Sequence, residues 1–406
     1  MNEAAEERPV WAWIDLEALR HNARRARACA AGRVVIGVIK ADAYGHGAVD
    51  VARALLAEGI PRLAVVSVAE GAELRRAGIV APILLMGGLD EAAATERALK
   101  WGLTPVLHDQ RGFELARAGA RSDAPLSVEV EVDTGMHRMG VAPSEVDALL
   151  AQVAATPQLS LSGIFTHLAT ADEADPSNSH RQIEAFEKIV AAQPADGASR
   201  PDVHISNSGG LLRLNEIERP DRGFLTQAVR PGLMLYGVSP FTDERGEPRV
   251  GMGAEALDLE PVMTLAAQVV ATRRVRKGEA VGYGGAWRAP RETTVATLPL
   301  GYADGIPRSV LGRAEVHLAG AMRPIVGRVS MDYIGVEVAE GDVQVGDIAT
   351  VFGRTPQGER IPVERIAAQA GTIGYELLTS VGSRVPRRVG EGLPPGRDFG
   401  DFDRAV

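Results

Sequence analysis

The chain has 406 residues, of which 45% are hydrophobic and 24% charged, a balance that excludes a collagen-like, rod-like or wholly disordered protein and leaves room for two domains. Its net charge of −9 disfavours a general nucleic-acid surface, because such surfaces are basic. The single cysteine, Cys29, excludes an internal disulfide framework and a cysteine-based zinc site, and without a secretion signal or membrane-length apolar run the sequence predicts a cytoplasmic protein with no membrane partner.

Short β-branched runs alternate with amphipathic helical stretches from Asp15 to about residue 240. This alternation predicts parallel strands joined by helical crossovers, and eight such units predict an α/β fold with an N-terminal (β/α)8 barrel of the TIM type. Catalytic residues of such barrels lie at the carboxyl ends of the strands. The predicted strands are Val34–Ile39, Leu63–Val68, Ile83–Met86, Thr104–Leu107, Leu126–Val132, Leu161–Thr166, Asp202–Ile205 and Gly232–Tyr236.

The pattern changes at about Glu260, where strand-like runs separated by Gly, Pro and Asp replace the helical stretches. These runs predict a C-terminal all-β domain. Because residues 239–253 are rich in Pro, Gly and Asp, we place the junction there and divide the chain into a barrel domain, residues 1–250, and a β domain, residues 251–406. The tail after Pro386 contains few apolar residues and is predicted to be irregular.

Lys40 directly follows the apolar first strand of the predicted barrel. A lysine at the carboxyl end of a buried strand is partly desolvated, which lowers its pKa and suits it to Schiff-base chemistry. Taken alone, a surface lysine at a strand exit is the more common interpretation. The adjacent segment Tyr44-Gly45-His46-Gly47 favours the functional one, because it places flexible backbone and polar side chains beside the amine.

Four other segments beside predicted strands carry polar residues. The planar guanidinium of Arg138 suits a substrate carboxylate, although an exposed ion pair would also explain it. His167 could lie against an aromatic cofactor or be a satisfied core histidine, and Arg230 could form a structural ion pair. Asn207 and Ser208 precede an apolar segment, so they predict a helix N-terminus suited to a phosphate or a plain N-cap.

The predicted β domain contains a tyrosine in an unusual setting, because Tyr283 stands among glycines that packing alone would not require. Three further polar clusters could be functional or could be ordinary turns. They are centred on Tyr302, on Met331 and Asp332, and on Tyr375.

Nine motifs resemble, in order and over nearly the whole chain, those of alanine racemases: VIKADAYGHG, VDTGMHRMG, GIFTHLATAD, HISNSGG, VRPGLMLYG, VGYGG, LPLGYADGIPR, GRVSMDY and TIGYEL. These enzymes are fold-type III isomerases with pyridoxal 5′-phosphate as cofactor. The resemblance implies a barrel followed by a β domain, a head-to-tail homodimer, and racemisation of L- and D-alanine that supplies D-alanine for peptidoglycan.

The resemblance also implies roles for individual residues. Lys40 would hold the cofactor covalently and act as one catalytic base, and Tyr283 of the other subunit would act as the second. His167 would pack against the cofactor ring and Arg230 would hydrogen-bond its nitrogen. The residues implied to hold the phosphate are Tyr44, Asn207, Ser208, Gly232, Leu233 and Tyr375, and those implied to bind substrate are Arg138, Met331 and Asp332. No metal is implied.

Three positions depart from the family pattern. Glu131 stands where several members carry a carbamylated lysine, seven residues before Arg138. Because glutamate already carries a negative charge, we hypothesise that Glu131 orients Arg138 directly. Ser330 and Tyr333 replace a frequent cysteine and glutamine near the substrate entrance, which leaves the size of the substrate open.

Three alternatives to an alanine racemase stay open at this point. One is a racemase for another small amino acid, such as serine. A decarboxylase on the same architecture fits less well with the glycine-flanked Tyr283 and with Arg230. The third is a non-catalytic protein that binds pyridoxal phosphate, and such proteins usually lack the β domain.

Overall fold

The computed structural model describes residues 8–121, 125–193, 201–218, 226–243 and 247–396. The described residues form two compact units. The first, here called the barrel unit, comprises residues 22–43 and 48–235. The second, here called the sheet unit, comprises the residues up to His21, the segment Tyr44–Gly47 and the residues from Tyr236 onward.

The chain enters through strand β1 (Val10–Asp15) and helix α1 (Leu16–Ala30). The barrel unit then contains a closed barrel of eight strands, whose neighbours all pair in parallel. The predicted (β/α)8 architecture is therefore confirmed. The barrel strands are β2 (Val34–Val38), β3 (Arg62–Val65), β4 (Ile83–Leu85), β5 (Thr104–Leu107), β6 (Leu126–Glu131), β7 (Leu159–Phe165), β8 (Asp202–His204) and β9 (Ala228–Val229).

The prediction of the eighth strand at Gly232–Tyr236 is wrong. That strand is the short β9, and the run Leu233–Tyr236 forms a 3-10 helix instead. All four residues of this helix are buried. Hydrophobic periodicity cannot separate a strand from a helix when a short apolar run is buried on every side, which explains the error.

Helices connect the barrel strands, and several begin at side-chain caps. Helix α4 has a capping box in which the Ser67 hydroxyl accepts from the backbone N of Glu70 and the Glu70 carboxylate accepts in return from that of Ser67. The connecting helices are α2 (Lys40–Gly45), α3 (Ala48–Ala57), α4 (Val68–Arg76), α5 (Ala92–Lys100), α6 (Gln110–Gly119), α7 (Val146–Ala154), α8 (Ser177–Ala192), α9 (Ser208–Leu212) and α10 (Leu214–Ile217).

The sheet unit is built mainly from strands, as predicted, and adds two short helices, α11 (Val363–Ala370) and α12 (Gly374–Ser380). Its strands are β10 (Met263–Gln268), β11 (Ala271–Val275), β12 (Ala280–Val281), β13 (Trp287–Arg288), β14 (Thr293–Leu298), β15 (Glu315–Leu318), β16 (Ala321–Val326), β17 (Ile334–Val338), β18 (Ile348–Arg354), β19 (Arg360–Ile361) and β20 (Arg387–Gly390). In the described part of the chain they form a ten-stranded sheet of order β11-β14-β17-β16-β15-β18-β10-β1-β20, in which β19 pairs with β18, and a separate β12-β13 pair.

The predicted irregular tail is wrong for β20, which pairs in parallel with β1 at the edge of the large sheet. An edge strand is held by backbone hydrogen bonds along one side, so it needs no continuous apolar pattern that sequence reasoning could detect. The rest of that prediction falls partly on residues 397–406, which lie outside the described residues.

The barrel interior contains a carboxylate that only a glycine can accommodate. Glu129 of β6 is 4% exposed and pairs in register with Gly163 of β7. A Cβ atom at position 163 would lie 2.7 Å from Cδ of Glu129 and 2.9 Å from its Oε1. The missing side chain of Gly163 therefore provides the space for this carboxylate.

We expect Gly163→Ala to destabilise the protein by about 1–3 kcal/mol, because overpacking a filled interior forces side chains or backbone to move. Urea unfolding followed by circular dichroism would measure the loss. Gly396→Ala is the matched control, since a Cβ atom at position 396 would meet no heavy atom of the described residues within 4 Å. Equal losses in the two variants would contradict this explanation of Gly163.

Candidate active site

Lys40 follows β2 after one intervening residue, at the carboxyl end of the barrel, as predicted. It begins α2, in which the four residues 41–44 all have φ between 52 and 55°. The turn is therefore left-handed, a conformation that costs about 1–2 kcal/mol for each L-residue. The sequence predicted a flexible loop here, and the strained turn is a correction. Strain of this kind persists only where the surroundings hold the backbone, and it is concentrated at functional sites.

Two carboxylates hold the barrel-unit part of this turn. The backbone N of Ala41 donates to Oε1 of Glu70 at 2.8 Å, and Oδ1 of Asp42 accepts from the backbone N of Ala48 at 2.7 Å. Glu70 is also the capping residue of α4, so one side chain fixes both the helix start and the backbone that follows Lys40. Sequence reasoning missed Glu70 because it lies about thirty residues further along the chain.

The environment of Lys40 favours its neutral amine. Burial of the half-buried side chain lowers the pKa of Lys40, and the positive charge of Arg138 lowers it further, while the carboxylate of Glu70 opposes the shift. A lysine with a lowered pKa is a better nucleophile and a better base near neutrality than an ordinary surface lysine.

Arg230 is a cation enclosed in the barrel, with 2% of its surface exposed. Its Nη1 contacts Nδ1 of His204, and its Nη2 donates to the carbonyl oxygens of Thr166 at 2.8 Å and Ile205 at 3.2 Å. Its Nε has no hydrogen-bond partner in the described part of the chain. Burial lowers the pKa of Arg230 to about 10, against the opposing charge of nearby carboxylates, so the guanidinium stays protonated at neutral pH and its Nε–H can still donate a hydrogen bond.

His204 connects Arg230 to Glu129. Its ring is fully buried, stacks on Phe165 with centroids 4.7 Å apart, and places Nε2 2.9 Å from Oε2 of Glu129. Phe165 also lies under the guanidinium of Arg230, 4.4 Å from its Cζ. Sequence reasoning singled out neither His204 nor Glu129 as a site residue, because the four strands β6 to β9 bring this group together.

His167 follows β7 and carries a neutral imidazole. Burial lowers its pKa to about 3, and the positive charges of Arg230, Arg138 and Lys40 act in the same direction. Its Nδ1 is buried and has no hydrogen-bond partner among the described residues. All four predicted site residues thus lie in the barrel unit, and the charges of Arg230, Arg138 and Lys40 act on His167.

The predicted helix N-terminus at Ser208 is present as the start of α9. The side chain of Asn207 accepts from the backbone N of Gly210 at 3.1 Å, so Asn207 is the N-cap residue of this helix. The Ser208 hydroxyl oxygen accepts from the backbone N of Gly232 at 3.0 Å and of Met234 at 3.3 Å. The hydroxyl proton of Ser208 therefore points away from those two donors and is available to an acceptor.

The hypothesis that Glu131 orients Arg138 directly is wrong for this structure. Glu131 is buried, and its Oε2 lies 3.1 Å from Nδ1 of His108, whereas Arg138 is exposed and shares no hydrogen bond or ion pair with Glu131 in the described ranges. The reason is the turn between them. Asp133 Oδ1 accepts from three successive backbone N–H groups, residues 135–137, and so stabilises a turn between Glu131 and the exposed Arg138.

In the sheet unit, the structure brings together two of the predicted cofactor residues. The ring centroids of Tyr44 and Tyr375 lie 6.1 Å apart, and Tyr44 also contacts the ring of Tyr236 at 4.7 Å. Burial raises the pKa of Tyr44 to about 12, so its phenol stays neutral and keeps a proton to donate.

The other predicted sheet-unit residues lie on the surface. Tyr283 is 72% exposed and Met331 50% exposed, while Asp332 accepts from Arg384 at 2.6 Å. The glycines that flank Tyr283 have positive φ, 73° at Gly282 and 69° at Gly284. Positive φ favours glycine, which explains why these two flanking positions carry it.

Comparisons with known proteins identify relatives over almost the full length. The sequence matches the alanine racemase N-terminal domain at residues 14–240 and the C-terminal domain at residues 262–389. It is 39% identical to an alanine racemase of Sorangium cellulosum, covering 94% of this chain and 98% of that protein. The biosynthetic alanine racemase of Pseudomonas aeruginosa has a similar structure, with a TM-score of 0.84 at 34% identity over 95% of this chain and all of that one. The alanine racemase from D-cycloserine-producing Streptomyces lavendulae gives 0.86 at 35%, over 95% and 98%.

We expect the pKa of Lys40 to rise in Arg138→Gln and to fall further in Glu70→Gln, because these changes remove a repelling and an attracting charge. Only the neutral amine attacks an aldehyde, so the midpoint of the pH–rate profile should move in the same direction as the pKa. Reductive trapping of a small aldehyde, followed by peptide mass spectrometry, would measure that rate at Lys40, with exposed Lys100 as the reference. Midpoints that coincide in all three proteins would contradict the electrostatic explanation.

Proposed function

This chain belongs to the alanine racemase family, and from this membership we propose that it interconverts L-alanine and D-alanine with pyridoxal phosphate as cofactor. The family depends on that cofactor. One observation carries the proposal to this chain: the barrel unit holds a lysine with a lowered pKa together with a buried arginine whose Nε lacks a partner among the described residues.

The residues of this chain fit pyridoxal phosphate. Lys40 would hold it covalently, and the unpartnered Nε–H of Arg230 would donate to the ring nitrogen. His167, neutral and with a free Nδ1 among the described residues, would pack against the ring. We propose that the phosphate is held by the hydroxyls of Tyr44, Ser208 and Tyr375 and by the backbone of Gly232 and Leu233, with Asn207 beside them.

When bound, pyridoxal phosphate serves as a sink for the electron pair that the broken Cα–H bond leaves behind. Arg230 would limit this sink. Since its pKa is about 10, it would stay protonated, donate a hydrogen bond to the ring nitrogen and oppose a second positive charge there. Arg230 would thereby restrain side reactions such as transamination and favour return of a proton to Cα.

Racemisation requires one base on each face of the substrate. We propose that Lys40 removes the proton from D-alanine while the phenol of Tyr283 delivers one to the opposite face. In the other direction the Tyr283 phenolate removes the proton from L-alanine and the ammonium of Lys40 delivers one. The lowered pKa of Lys40 suits this role. Arg138 and the Met331 backbone would bind the substrate carboxylate, with Asp332 close to Tyr283. The guanidinium of Arg138 would also favour the phenolate form of the tyrosine.

The family is generally dimeric, and we propose a head-to-tail homodimer for this chain. Residues 1–250 would supply Lys40, and residues 251–406 of the other copy would supply Tyr283. The exposure of Tyr283, together with that of Tyr302, Met331 and Tyr333, supports this proposal, because exposed aromatic and methionine side chains are enriched at protein interfaces.

The described residues include no helix with the length and apolarity that crossing a membrane requires. We propose that the protein acts in the cytoplasm and supplies D-alanine for peptidoglycan precursors.

Lys40→Ala should lose covalent attachment of the cofactor and at least about 100-fold of the racemase activity, because it removes both the attachment point and one base. Visible absorbance of purified protein with added pyridoxal phosphate, and chiral analysis of alanine, would measure the two effects. Full activity in this variant, or no racemisation by the unaltered protein across alanine and serine, would overturn the proposed function.

Tyr283→Phe should impair removal of the Cα proton from L-alanine by about 100-fold or more and leave removal from D-alanine less affected, because only one of two bases is lost. Incorporation of solvent deuterium into each enantiomer, followed by NMR at early times, would separate the two directions. Tyr333→Phe is the matched control, since it removes a phenol oxygen from another exposed tyrosine. Equal slowing of both directions would contradict the two-base assignment.

A further inference from the structure

Three buried side chains form a continuous contact chain inside the barrel. Arg230 contacts Nδ1 of His204, and Nε2 of His204 lies 2.9 Å from Oε2 of Glu129. Glu129 lines a cavity of about 200 Å³ together with Arg62, Thr104, Ser127 and Ser162. Arg62 and Thr104 are first residues of their strands, so this cavity lies at the amino end of the barrel, away from Lys40.

The two neighbours of His204 require the same tautomer. A guanidinium can only donate, so Nδ1 of His204 must be the acceptor for Arg230. An ionised carboxylate can only accept, so Nε2 must carry the proton. Burial raises the pKa of Glu129, but the hydrogen bond with His204 and the charges of Arg230 and Arg62 act in the opposite direction and leave this pKa below its usual range. Burial and the charge of Arg230 lower the pKa of His204. His204 is therefore neutral, protonated on Nε2 and hydrogen-bonded on both sides.

We propose that Glu129 is a positioning residue that acts on Arg230 through His204. By fixing the orientation of the imidazole, it commits Nη1 of Arg230 to His204 while Nη2 bonds the carbonyls of Thr166 and Ile205. Among the three guanidinium nitrogens, Nε is then the one without a partner in the described part of the chain, and its N–H is free to donate to the cofactor ring nitrogen. This inference rests on the proposed function, because it gives Arg230 the role stated there.

Compensation of the positive charge of Arg230 does not by itself explain the role of Glu129. Glu131 and Glu218 also lie close enough to Arg230 to raise its pKa. Glu129 differs from them because it contacts the ring that Arg230 uses as an acceptor. Oε2 of Glu131 lies instead 3.1 Å from Nδ1 of His108, and Glu218 accepts from Ser206 and Thr226. This difference provides a matched control on the same strand.

The test compares Glu129→Leu, Glu129→Gln and the control Glu131→Gln. Pyridoxamine phosphate, which cannot attach to Lys40, is the probe, and its binding is followed by fluorescence titration. We expect about tenfold weaker binding in Glu129→Leu, which cannot accept a hydrogen bond. Glu129→Gln should recover much of this loss through its amide oxygen, and Glu131→Gln should lose less than Glu129→Leu. Wild-type binding in Glu129→Leu, or an equal loss in Glu131→Gln, would overturn the proposal.

A second measurement needs neither the probe nor activity. Histidine-selective ¹⁵N NMR of the cofactor-free, unaltered protein should show His204 as the neutral Nε2–H tautomer between pH 6 and 8, assigned by its loss in His204→Asn. An imidazolium or an Nδ1–H tautomer would overturn the proposal even if the Leu variant does not fold. If the unaltered protein binds no cofactor while His204 shows the expected tautomer, the proposed function fails and the Glu129–His204 geometry stands.

Discussion

The barrel interior is organised around one buried cation. A guanidinium in a low-dielectric interior is stable only when its charge is compensated and its donors are bonded. Arg230 meets this requirement through carboxylates on the strand β6, through His204, and through backbone carbonyls. Gly163 provides the volume that Glu129 needs. One nitrogen of Arg230, Nε, has no hydrogen-bond partner among the described residues. The same constraint explains this, since we assign its N–H as the donor to the cofactor.

The electrostatics of the barrel unit follow from this cation and from Arg138. Burial lowers the pKa of both His167 and Lys40, and positive charge lowers each further, from Arg230 and Arg138 at His167 and from Arg138 at Lys40. This environment favours the neutral forms of two basic side chains. The left-handed turn after Lys40 adds a second constraint, because carboxylates hold strained backbone next to the amine. Pre-organisation of this kind shifts its cost from the reaction to folding.

In the proposed mechanism the two units have different tasks. The barrel unit supplies the lysine and the groups that tune it, and the sheet unit supplies Tyr283 on its surface. A base that is 72% exposed in one chain lacks the surroundings that an active site gives, which is the physical argument for completing the site with a second copy. His108 and Glu131 form a separate buried pair, and its role is structural in this account.

The alternation of strands and helices in the sequence determined the barrel, and the position of Lys40 after an apolar strand determined where its chemistry lies, because both depend on local periodicity. The motif resemblance pointed to the family and its cofactor. The short strand β9, the handedness of the turn after Lys40, and the partners of Glu131 and Glu129 were decided only by tertiary structure. Each of these depends on groups distant in sequence, such as Glu70, His108 and His204, which reach their partners only when the strands close into a barrel.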